Sequence, residues 1–170
     1  MDAVKAAREN PDREVVFFAI GFETTTPPTA AAILAAKRLG LKNFSVFCNH
    51  VLTPAAMEHI LLTAPNRPDA PKLNGLVGPA HVSTVIGSNP YRHFSEKWRM
   101  PVVVCGFEPL DMLLSILMLI RQVNEGRAEV ENEFTRAVTA EGNVKAIELM
   151  DEVFERRPTF EWRGLGTVPN

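Results

Sequence analysis

Four short apolar runs, each followed closely by polar residues and a proline, constrain the fold of this 170-residue chain most strongly. The runs are rich in β-branched and aromatic residues, and they are continuous rather than alternating between apolar and polar positions. This pattern is typical of central strands in a parallel sheet whose two faces are both covered. A further candidate strand is Thr159–Trp162. The pattern therefore predicts four fully buried strands, at Val15–Ile20, Phe44–Cys48, Leu76–Val77 and Pro101–Cys105.

Helical periods fill the intervals between these runs, and prolines stand where several of the helices would begin. The segment Glu129–Ala140 is predicted as an additional helix, with Phe134 and Val138 on one side. Strand alternating with helix favours right-handed βαβ units and hence the α/β class. We expect a single domain, residues 1–170, built on an open, mainly parallel sheet of four to five strands with helices on both faces. The main predicted helices are Ala30–Leu39, Ala55–Leu62, Leu110–Val123 and residues 144–154.

Charge and apolar content argue against several classes of protein. The net charge is −2 and no run of Lys or Arg occurs, which argues against nucleic acid or an anionic membrane surface as the main partner. The longest apolar stretch, Met112–Ile120, is too short to span a bilayer and is predicted to be a buried helix. The first residues carry mixed charges and no apolar targeting segment. We therefore expect a cytoplasmic protein that does not insert into a membrane.

The two cysteines, Cys48 and Cys105, each end an apolar run and are not spaced as a C-x-x-C pair. Their spacing does not predict a disulfide scaffold, a thiolate metal site or an iron–sulfur cluster. We expect both cysteines to be small, buried core residues.

The polar residues at the strand ends form the candidate functional site. In an open parallel sheet, ligands bind outside the carboxyl ends of the strands. The prolines that follow would begin helices whose free N–H groups converge on this edge and favour an anion or the negative end of a ligand. Two runs end in the same Gly-Phe-Glu phrase, at residues 21–23 and 106–108. The candidate site residues are Glu23, Thr24, Thr25, His50, His81, Ser83 and Glu108.

Each candidate also has a structural interpretation. The two threonines at 25–26 are good helix N-caps, and Glu23 and Glu108 stand where a carboxylate stabilises a helix dipole. His50 and His81 could be hydrogen-bonded structural histidines or, with the two glutamates, ligands of a metal ion, although no local H-x-x-x-H or H-x-x-E spacing supports a metal site. Three functions stay open: an assembly scaffold, a free-standing α/β enzyme using Glu and His for acid–base or metal-assisted hydrolysis, and a plain partner-binding domain.

Five phrases of the sequence resemble, in the same order, the central portion of the HypD family of nickel–iron hydrogenase maturation proteins. They are VVFFAIGFETTTPPTA, NHVLTPAAM, GPAHVSTVIG, VVVCGFEPLDML and EWRGLGTVP. The resemblance runs over essentially the whole chain. The phrases Gly-Phe-Glu-Thr-Thr and Pro-Ala-His-Val-Ser are its specific parts, and they include most of the candidate site residues.

The resemblance implies a scaffold role more than an enzyme with a complete reaction of its own. It implies that the chain works with a small HypC-type chaperone and a HypE-type cyanide donor. Together they would assemble the iron centre that carries cyanide and carbon monoxide. The residues implied to line the cleft for this centre or for the partners are Glu23, Thr24, Thr25, His81 and Ser83, with Glu108 in a similar phrase.

The chain also departs from the family pattern. Family members are longer and carry an N-terminal Cys-Gly-x-His type motif, a further cysteine motif and C-terminal cysteines that bind a 4Fe–4S cluster, none of which occurs in this sequence. No ligand role is therefore transferred to Cys48 or Cys105. We expect no cofactor in this chain itself, whereas iron and the 4Fe–4S cluster are expected in full-length members. We also expect an isolated piece to expose a face that packs against the missing regions, with the Met/Leu-rich helix as a candidate.

Overall fold

The computed structural model describes residues 1–66 and 68–169, in which strands and helices alternate. The strands are β1 Val15–Gly21, β2 Phe44–His50, β3 Leu76–Pro79, β4 Val102–Cys105, β5 Val130–Asn132, β6 Thr159–Trp162 and β7 Gly166–Pro169. The helices are α1 Asp2–Glu9, α2 Thr26–Arg38, α3 Thr53–Thr63, α4 Ala80–Ile86, α5 Arg92–Trp98, α6 Pro109–Asn124 and α7 Val144–Val153. The four main predicted helices are confirmed as α2, α3, α6 and α7.

The strands form two separate parallel sheets and one antiparallel hairpin. β1 pairs with β2 in parallel, and β4 lies between β3 and β5 in the second parallel sheet. β6 is the predicted strand Thr159–Trp162, and it pairs with β7 across a short turn. The α/β class with mainly parallel strands is confirmed, although the strands are divided between sheets instead of forming one continuous sheet.

Prolines mark the starts of the helices, as the sequence predicts. Pro27, Pro54 and Pro109 lie in the first two positions of α2, α3 and α6, and Pro79 directly precedes α4. Proline suits these positions because its missing N–H would have no partner in the first helical turn and its φ angle is already helical. Each of these helices follows a strand, so their N-termini lie at the carboxyl ends of β1 to β4.

The main hydrophobic core surrounds β4. Val102, Val103, Val104 and Cys105 have no exposed surface, which confirms the predicted buried strand at Pro101–Cys105. β4 is covered because a strand lies on each of its edges and helices contribute side chains to the cluster around it. The buried residues of this cluster are Leu61, Ala80, Tyr91, Phe94, Val102, Val104 and Val138.

The β1–β2 sheet is covered on one face only, so the prediction that β1 and β2 are fully buried is wrong. Val16, Phe18 and Ile20 are 58–62% exposed, whereas Ala19 is buried. α1 and α2 contact the sheet, and their small buried cluster consists of Val4, Ala32 and Ala36. A continuous apolar run shows that both faces of a strand are apolar, but it does not show which polypeptide covers them.

The two cysteines follow the same difference between the sheets. Cys105 is buried at the end of β4, as predicted, whereas Cys48 on β2 is exposed, so the prediction of a buried Cys48 is wrong. Cys48 is exposed even though its register partner on β1, Ala19, is buried.

The predicted helix at Glu129–Ala140 is wrong. Val130–Asn132 forms β5, which pairs in parallel with β4, and turns follow it. Arg127 stabilises the segment that leads into β5, because its guanidinium binds Glu129 and Glu131 at 2.9 Å each. Pairing with a buried strand and these ion pairs therefore decide the conformation of the segment, against its weak helical period.

Helix α6 presents apolar side chains to solvent, so the prediction that Met112–Ile120 is a buried helix is wrong. Leu110 and Leu113 are 65% and 66% exposed. No helix in the described part of the chain is long and apolar enough to cross a membrane. On the polar inner side of α6, Asp111 accepts from Arg136 and the Gln122 side-chain oxygen accepts the N–H of Glu129, whereas the buried Ser115 hydroxyl has no hydrogen-bond partner among the described residues. The buried residues of α6 are Asp111, Ser115 and Gln122.

Candidate functional site

The first Gly-Phe-Glu phrase forms a tight turn between β1 and α2. Gly21 has a φ of 131°, and a Cβ atom at this position would collide with the hydroxyl of Thr25. The hydroxyls of Thr25 and Thr26 both donate to the carbonyl oxygen of Phe22 at 3.0 Å. Thr25 occupies the N-cap position of α2, but no side-chain capping bond forms. The prediction that these threonines cap the helix is therefore wrong, since their hydroxyls close the turn instead.

Glu23 is buried inside this turn, with 2% of its surface exposed. Its Oε1 accepts the backbone N–H of Thr53 at 2.7 Å, and its Oε2 accepts the Thr53 hydroxyl at 2.9 Å. Burial raises the pKa of Glu23 above its ordinary value, while the bonds from Thr53 and the charge of Arg156 oppose this rise. Glu23 therefore joins the end of β1 to the start of α3, while its neighbour Thr24 is exposed.

Thr53 is a partner of the site that the sequence pattern did not identify correctly. The Thr-Pro pair after β2 predicts Thr53 as the N-cap of α3, whereas Leu52 holds that position. Both donors of Thr53 bind the Glu23 carboxylate, which thus satisfies a free N–H of the first helical turn from another strand end. A carboxylate at a helix N-terminus is also favoured by the helix dipole.

His50 lies beside this turn, because His50 and Gly21 are register partners at the ends of β2 and β1. Its Nε2 lies 2.9 Å from the hydroxyl of Thr29 on α2. Burial lowers the pKa of His50, with the carbonyl of Gly21 acting against this shift, so the imidazole is neutral near pH 7. It lines a pocket of about 300 Å³ with Phe18, Ile20 and other residues. These contacts favour the structural interpretation of His50.

Ser83 and Tyr91 form a buried pair at the end of β3. Ser83 has no exposed surface, and its Oγ lies 2.8 Å from the carbonyl oxygen of Pro79 and 3.1 Å from the Tyr91 hydroxyl. Burial raises the pKa of Tyr91 to about 12, and the negative charge of Glu23 contributes to this rise. Tyr91 carries no signal in the strand-end pattern and was missed.

The second Gly-Phe-Glu phrase differs from the first in its carboxylate. Glu108 is exposed at the N-cap position of α6, and its carbonyl oxygen accepts the N–H of Met112 at 3.0 Å. The buried carboxylate at this turn is Asp111, which a Cβ atom on Gly106 would strike. Arg136 donates to Asp111 at 2.6 Å and lowers its pKa. Sequence reasoning missed this ion pair. The available signal was Asp111 itself, an acidic residue in the first turn of a predicted helix.

His81 connects the ends of β3 and β4 at the surface. Its side chain is exposed, and its ring meets Phe107 edge-on with 4.6 Å between the ring centroids. The candidate residues thus fall into two groups: Glu23, Thr24, Thr25 and His50 at the β1–β2 end, and His81, Ser83 and Glu108 at the β3–β4 end, where Ser83 is paired with Tyr91. Within residues 1–66 and 68–169, no three His, Cys, Asp or Glu side chains are grouped so that they could hold a metal ion.

Comparison with known proteins agrees with the resemblance in the sequence. The family described as HypD, hydrogenase formation hypA family, matches residues 1–170. The hydrogenase expression/formation protein HupD of Azotobacter chroococcum mcd 1 is 67% identical over 169 residues, which are 99% of this chain and 45% of that protein. The hydrogenase maturation factor HypD of Azotobacter vinelandii is 65% identical over 170 residues, which are 100% of this chain and 45% of that protein.

A third relative, the hydrogenase maturation factor HypD of Cupriavidus necator, is 62% identical over 169 residues, again 99% of this chain and 45% of that protein. The chain thus spans about 45% of the length of the curated relatives that it matches. Because the family match covers every residue and these identities hold over nearly the full chain, the chain belongs to the HypD family.

Proposed function

We propose that this chain is a module of a hydrogenase maturation factor and acts as an assembly scaffold rather than as an enzyme with its own complete reaction. Three relatives at 62–67% identity are named as hydrogenase expression/formation or maturation proteins. The cargo is the iron centre that carries cyanide and carbon monoxide, built with a small HypC-type chaperone and a HypE-type cyanide donor. This iron is a substrate of the assembly and not a resident cofactor of the chain.

The buried Glu23 turn is the observation that best supports a scaffold. Its carboxylate receives two hydrogen bonds from Thr53, so the end of β1 is linked through side chains to the start of α3, which follows β2. Such a network holds an edge in one geometry, because breaking any bond would leave a buried polar group unpaired. A preorganised edge of this kind suits a protein that positions a cargo or a partner.

Exposed residues beside this network form the proposed contact rim. Thr24, His81, Phe107 and Glu108 are exposed at the carboxyl ends of β1, β3 and β4. We assign them the direct contacts with cargo or partner, while Glu23, Thr25, His50 and Ser83 keep the turns in place. The rim has few charged side chains, so aromatic and hydrogen-bonding contacts dominate there.

The 4Fe–4S cluster of the longer family members does not fit the residues of this chain. Such a cluster is held by four cysteine thiolates or by closely related ligand sets. The chain has two cysteines, of which Cys48 is exposed on β2 and Cys105 is buried at the end of β4. We propose that the cluster ligands lie outside the matched span, that the module forms one domain, and that it works in the cytoplasm.

A chimeric protein tests the proposal. The matched span of Azotobacter vinelandii HypD is replaced by this chain, and the chimera is expressed in cells that lack their own HypD. We expect restored hydrogenase activity, because 65% of these residues are identical in the relative. His81→Ala should then remove most of this activity while the amount of soluble chimera stays the same, because it deletes a rim side chain that is exposed.

His93→Ala is the matched control, since His93 is also an exposed histidine but binds Glu58 on α3 instead of lying at a strand end. It should leave hydrogenase activity unchanged. A chimera that is soluble but gives no hydrogenase activity would overturn the module proposal. Equal activity of the His81→Ala and His93→Ala chimeras would overturn the assignment of the rim.

A further inference from the structure

A cavity lies at the amino ends of β3, β4 and β5, away from the candidate site. Its walls come from the segments that lead into these three parallel strands and from the last residues of α5 and α6. Its volume is about 340 Å³, which is in the range of small-molecule sites. The contact rim with His81 and Glu108 lies at the carboxyl ends instead, and the length of β4 puts about 10 Å between the two ends. The cavity is therefore a separate feature of the fold.

Hydrogen bonds at the starts of the strands hold the cavity in shape. The N–H of Leu76 donates to the carbonyl oxygen of Pro101 at 2.9 Å, and the N–H of Val102 donates to that of Glu129 at 3.0 Å. Pro101 lines the cavity and is itself buried. The cavity thus has a preformed floor that belongs to the sheet around β4, and a ligand would not have to organise it.

The cavity wall contains two cations that have no partner. Lys72 and Arg99 both line it, and neither has an ion pair or side-chain hydrogen bond among residues 1–66 and 68–169. Arg127 lines it as well, but its guanidinium already binds three glutamates at 2.7–2.9 Å. None of these glutamates, and no other carboxylate of the described residues, lines the cavity. Lys72 and Arg99 are therefore available to an anion.

The rest of the wall is largely apolar and includes an indole with an unsatisfied donor. Leu73, Trp98, Met100 and Pro101 all line the cavity. The Nε1 of Trp98 is buried and has no hydrogen-bond partner in the described part of the chain. Burial of an N–H without an acceptor is unfavourable. A ligand oxygen that bonded to this N–H would satisfy it beside the apolar surface.

We propose that this cavity binds a small organic carboxylate. Lys72 and Arg99 bind its carboxylate group, and its apolar body lies against Trp98 and Met100. A bare inorganic anion would leave the apolar wall uncovered, and a neutral molecule would leave both cations unpaired. This inference assigns a second site, and it goes beyond the proposed function and does not depend on it.

The charges around the cavity favour a singly charged ligand over a phosphate ester. The three glutamates on Arg127 outnumber its single positive charge, so the segment before β5 has a net negative charge. Repulsion from this segment grows with the charge of the ligand. A monoanionic carboxylate therefore fits the cavity better than a doubly charged phosphate ester of the same size.

Fluorescence of Trp98 tests the inference directly. The chain has two tryptophans, and Trp162 lies on β6 outside the cavity, so Trp162→Phe leaves Trp98 as the only emitter. Titration of this variant with sodium benzoate should change the emission along a saturating curve. Benzyl alcohol, which has the ring without the charge, and inorganic phosphate should each bind at least about tenfold more weakly. Failure of benzoate to saturate, or equal binding of either control compound, would overturn the proposal.

Two double variants in the Trp162→Phe background separate direct contact from the overall charge of the protein. Lys72→Gln with Arg99→Gln should raise the dissociation constant of benzoate at least about tenfold. The thermal midpoint should stay the same, because both side chains are exposed and unpaired. Arg38→Gln with Lys42→Gln removes the same charge from exposed positions outside the cavity and should have less than about a twofold effect at physiological ionic strength. Equal weakening by both double variants would overturn the proposal.

Two calorimetric titrations test the parts of the assignment. Trp98→Phe keeps an aromatic ring but has no N–H donor, and it should bind benzoate more weakly than wild type. Equal affinity of these two proteins would overturn the contact with the indole N–H. Phenyl phosphate should bind wild type more weakly than benzoate does, and tighter binding of phenyl phosphate would overturn the choice of a carboxylate.

Discussion

The two parallel sheets have similar sequences and different surroundings. β1 and β4 are both apolar runs, and each leads into a Gly-Phe-Glu phrase. Every residue of β4 is buried, whereas alternate residues of β1 are exposed. β4 has strands on both edges and aromatic side chains packed around it, while β1 has one neighbouring strand and a small alanine-rich cluster. Burial of a parallel strand is thus a property of its neighbours more than of its own residues.

The two Gly-Phe-Glu turns show the same contrast at the level of single side chains. In the first, Glu23 is buried and bonded to Thr53. In the second, Glu108 is exposed and the buried carboxylate is Asp111, which has an arginine partner. Repetition of the phrase therefore predicts the turn, but it does not predict which carboxylate the turn encloses.

The largest expected effect compares Phe94, which lies on α5 in the core around β4, with Phe18 on β1. Phe94→Ala should lower the free energy of unfolding of the isolated chain by about 3–5 kcal/mol, because Phe94 is 1% exposed in the core around β4. Phe18→Ala should change the free energy of unfolding by at most about 0.5–1 kcal/mol, because removing a side chain from the bare face of the β1–β2 sheet removes few contacts. Urea unfolding followed by circular dichroism measures both values.

Leu39→Ala controls for the removal of an exposed apolar side chain that lies outside any sheet face. Its effect should equal that of Phe18→Ala within the error of the measurement. A Phe18→Ala cost that approaches the cost of Phe94→Ala would mean that the β1–β2 face is covered in the isolated chain, and the comparison between the sheets would then fail.

The positions of strands and helices could be predicted from sequence because their signals are local. Apolar runs located β1 to β4, and prolines located the starts of α2, α3 and α6. β5 could not be predicted, because three residues form a strand only when a buried neighbour such as β4 offers its edge.

Contacts between elements account for what was missed or predicted wrongly at the site. The Glu23 partner Thr53 is 30 residues away, and Tyr91 ends a short 3₁₀ helix, Asn89–Tyr91, that no strand-end pattern marks. The polar side of α6 faces inward because it bonds to Arg136 and to the N–H of Glu129, which both lie in the segment after the helix. Side-chain partners of this kind follow from the assembled fold and leave no periodic signal in the sequence.

The second prediction concerns Glu23, which belongs to the less covered sheet and yet is buried. Glu23→Ala should lower the free energy of unfolding by about 1–3 kcal/mol, because the N–H and hydroxyl of Thr53 lose their acceptor. Glu23→Gln keeps one acceptor oxygen and should cost less. Thermal unfolding at constant pH compares the three proteins, and equal midpoints for wild type and Glu23→Ala would contradict the structural role of the carboxylate.

The same pair of variants has an expected pH dependence. The folded-state pKa of Glu23 is raised above its ordinary value of 4.5, chiefly by burial. The stability that this shift contributes is fully present below pH 4.5 and is lost as the pH rises through the folded-state pKa. The stability of wild type should therefore fall relative to that of Glu23→Gln over this interval. Parallel pH profiles of the two proteins would show that Glu23 is not buried as described.

The smallest expected effect concerns Ser83 and Tyr91, which lie beside the well-covered sheet that contains β4. Tyr91 is the single tyrosine of the chain, so its ionisation can be followed directly by ultraviolet absorbance. Burial places its pKa at about 12, and the Ser83 hydroxyl lowers it, so Ser83→Ala should raise the pKa further. Loss of this hydrogen bond should also cost about 0.5–1.5 kcal/mol of unfolding free energy.

The direction in which stability changes with pH distinguishes a buried Tyr91 from an exposed one. Because its folded-state pKa lies above the ordinary value of 10.0, Tyr91 contributes stability that is fully present below pH 10 and is lost as the pH rises through about 12. Tyr91→Phe should remove this part of the alkaline loss. A tyrosine that titrates near pH 10 in the folded chain would mean that the core around β4 admits water, and the contrast between the two sheets would then be smaller than the structure indicates.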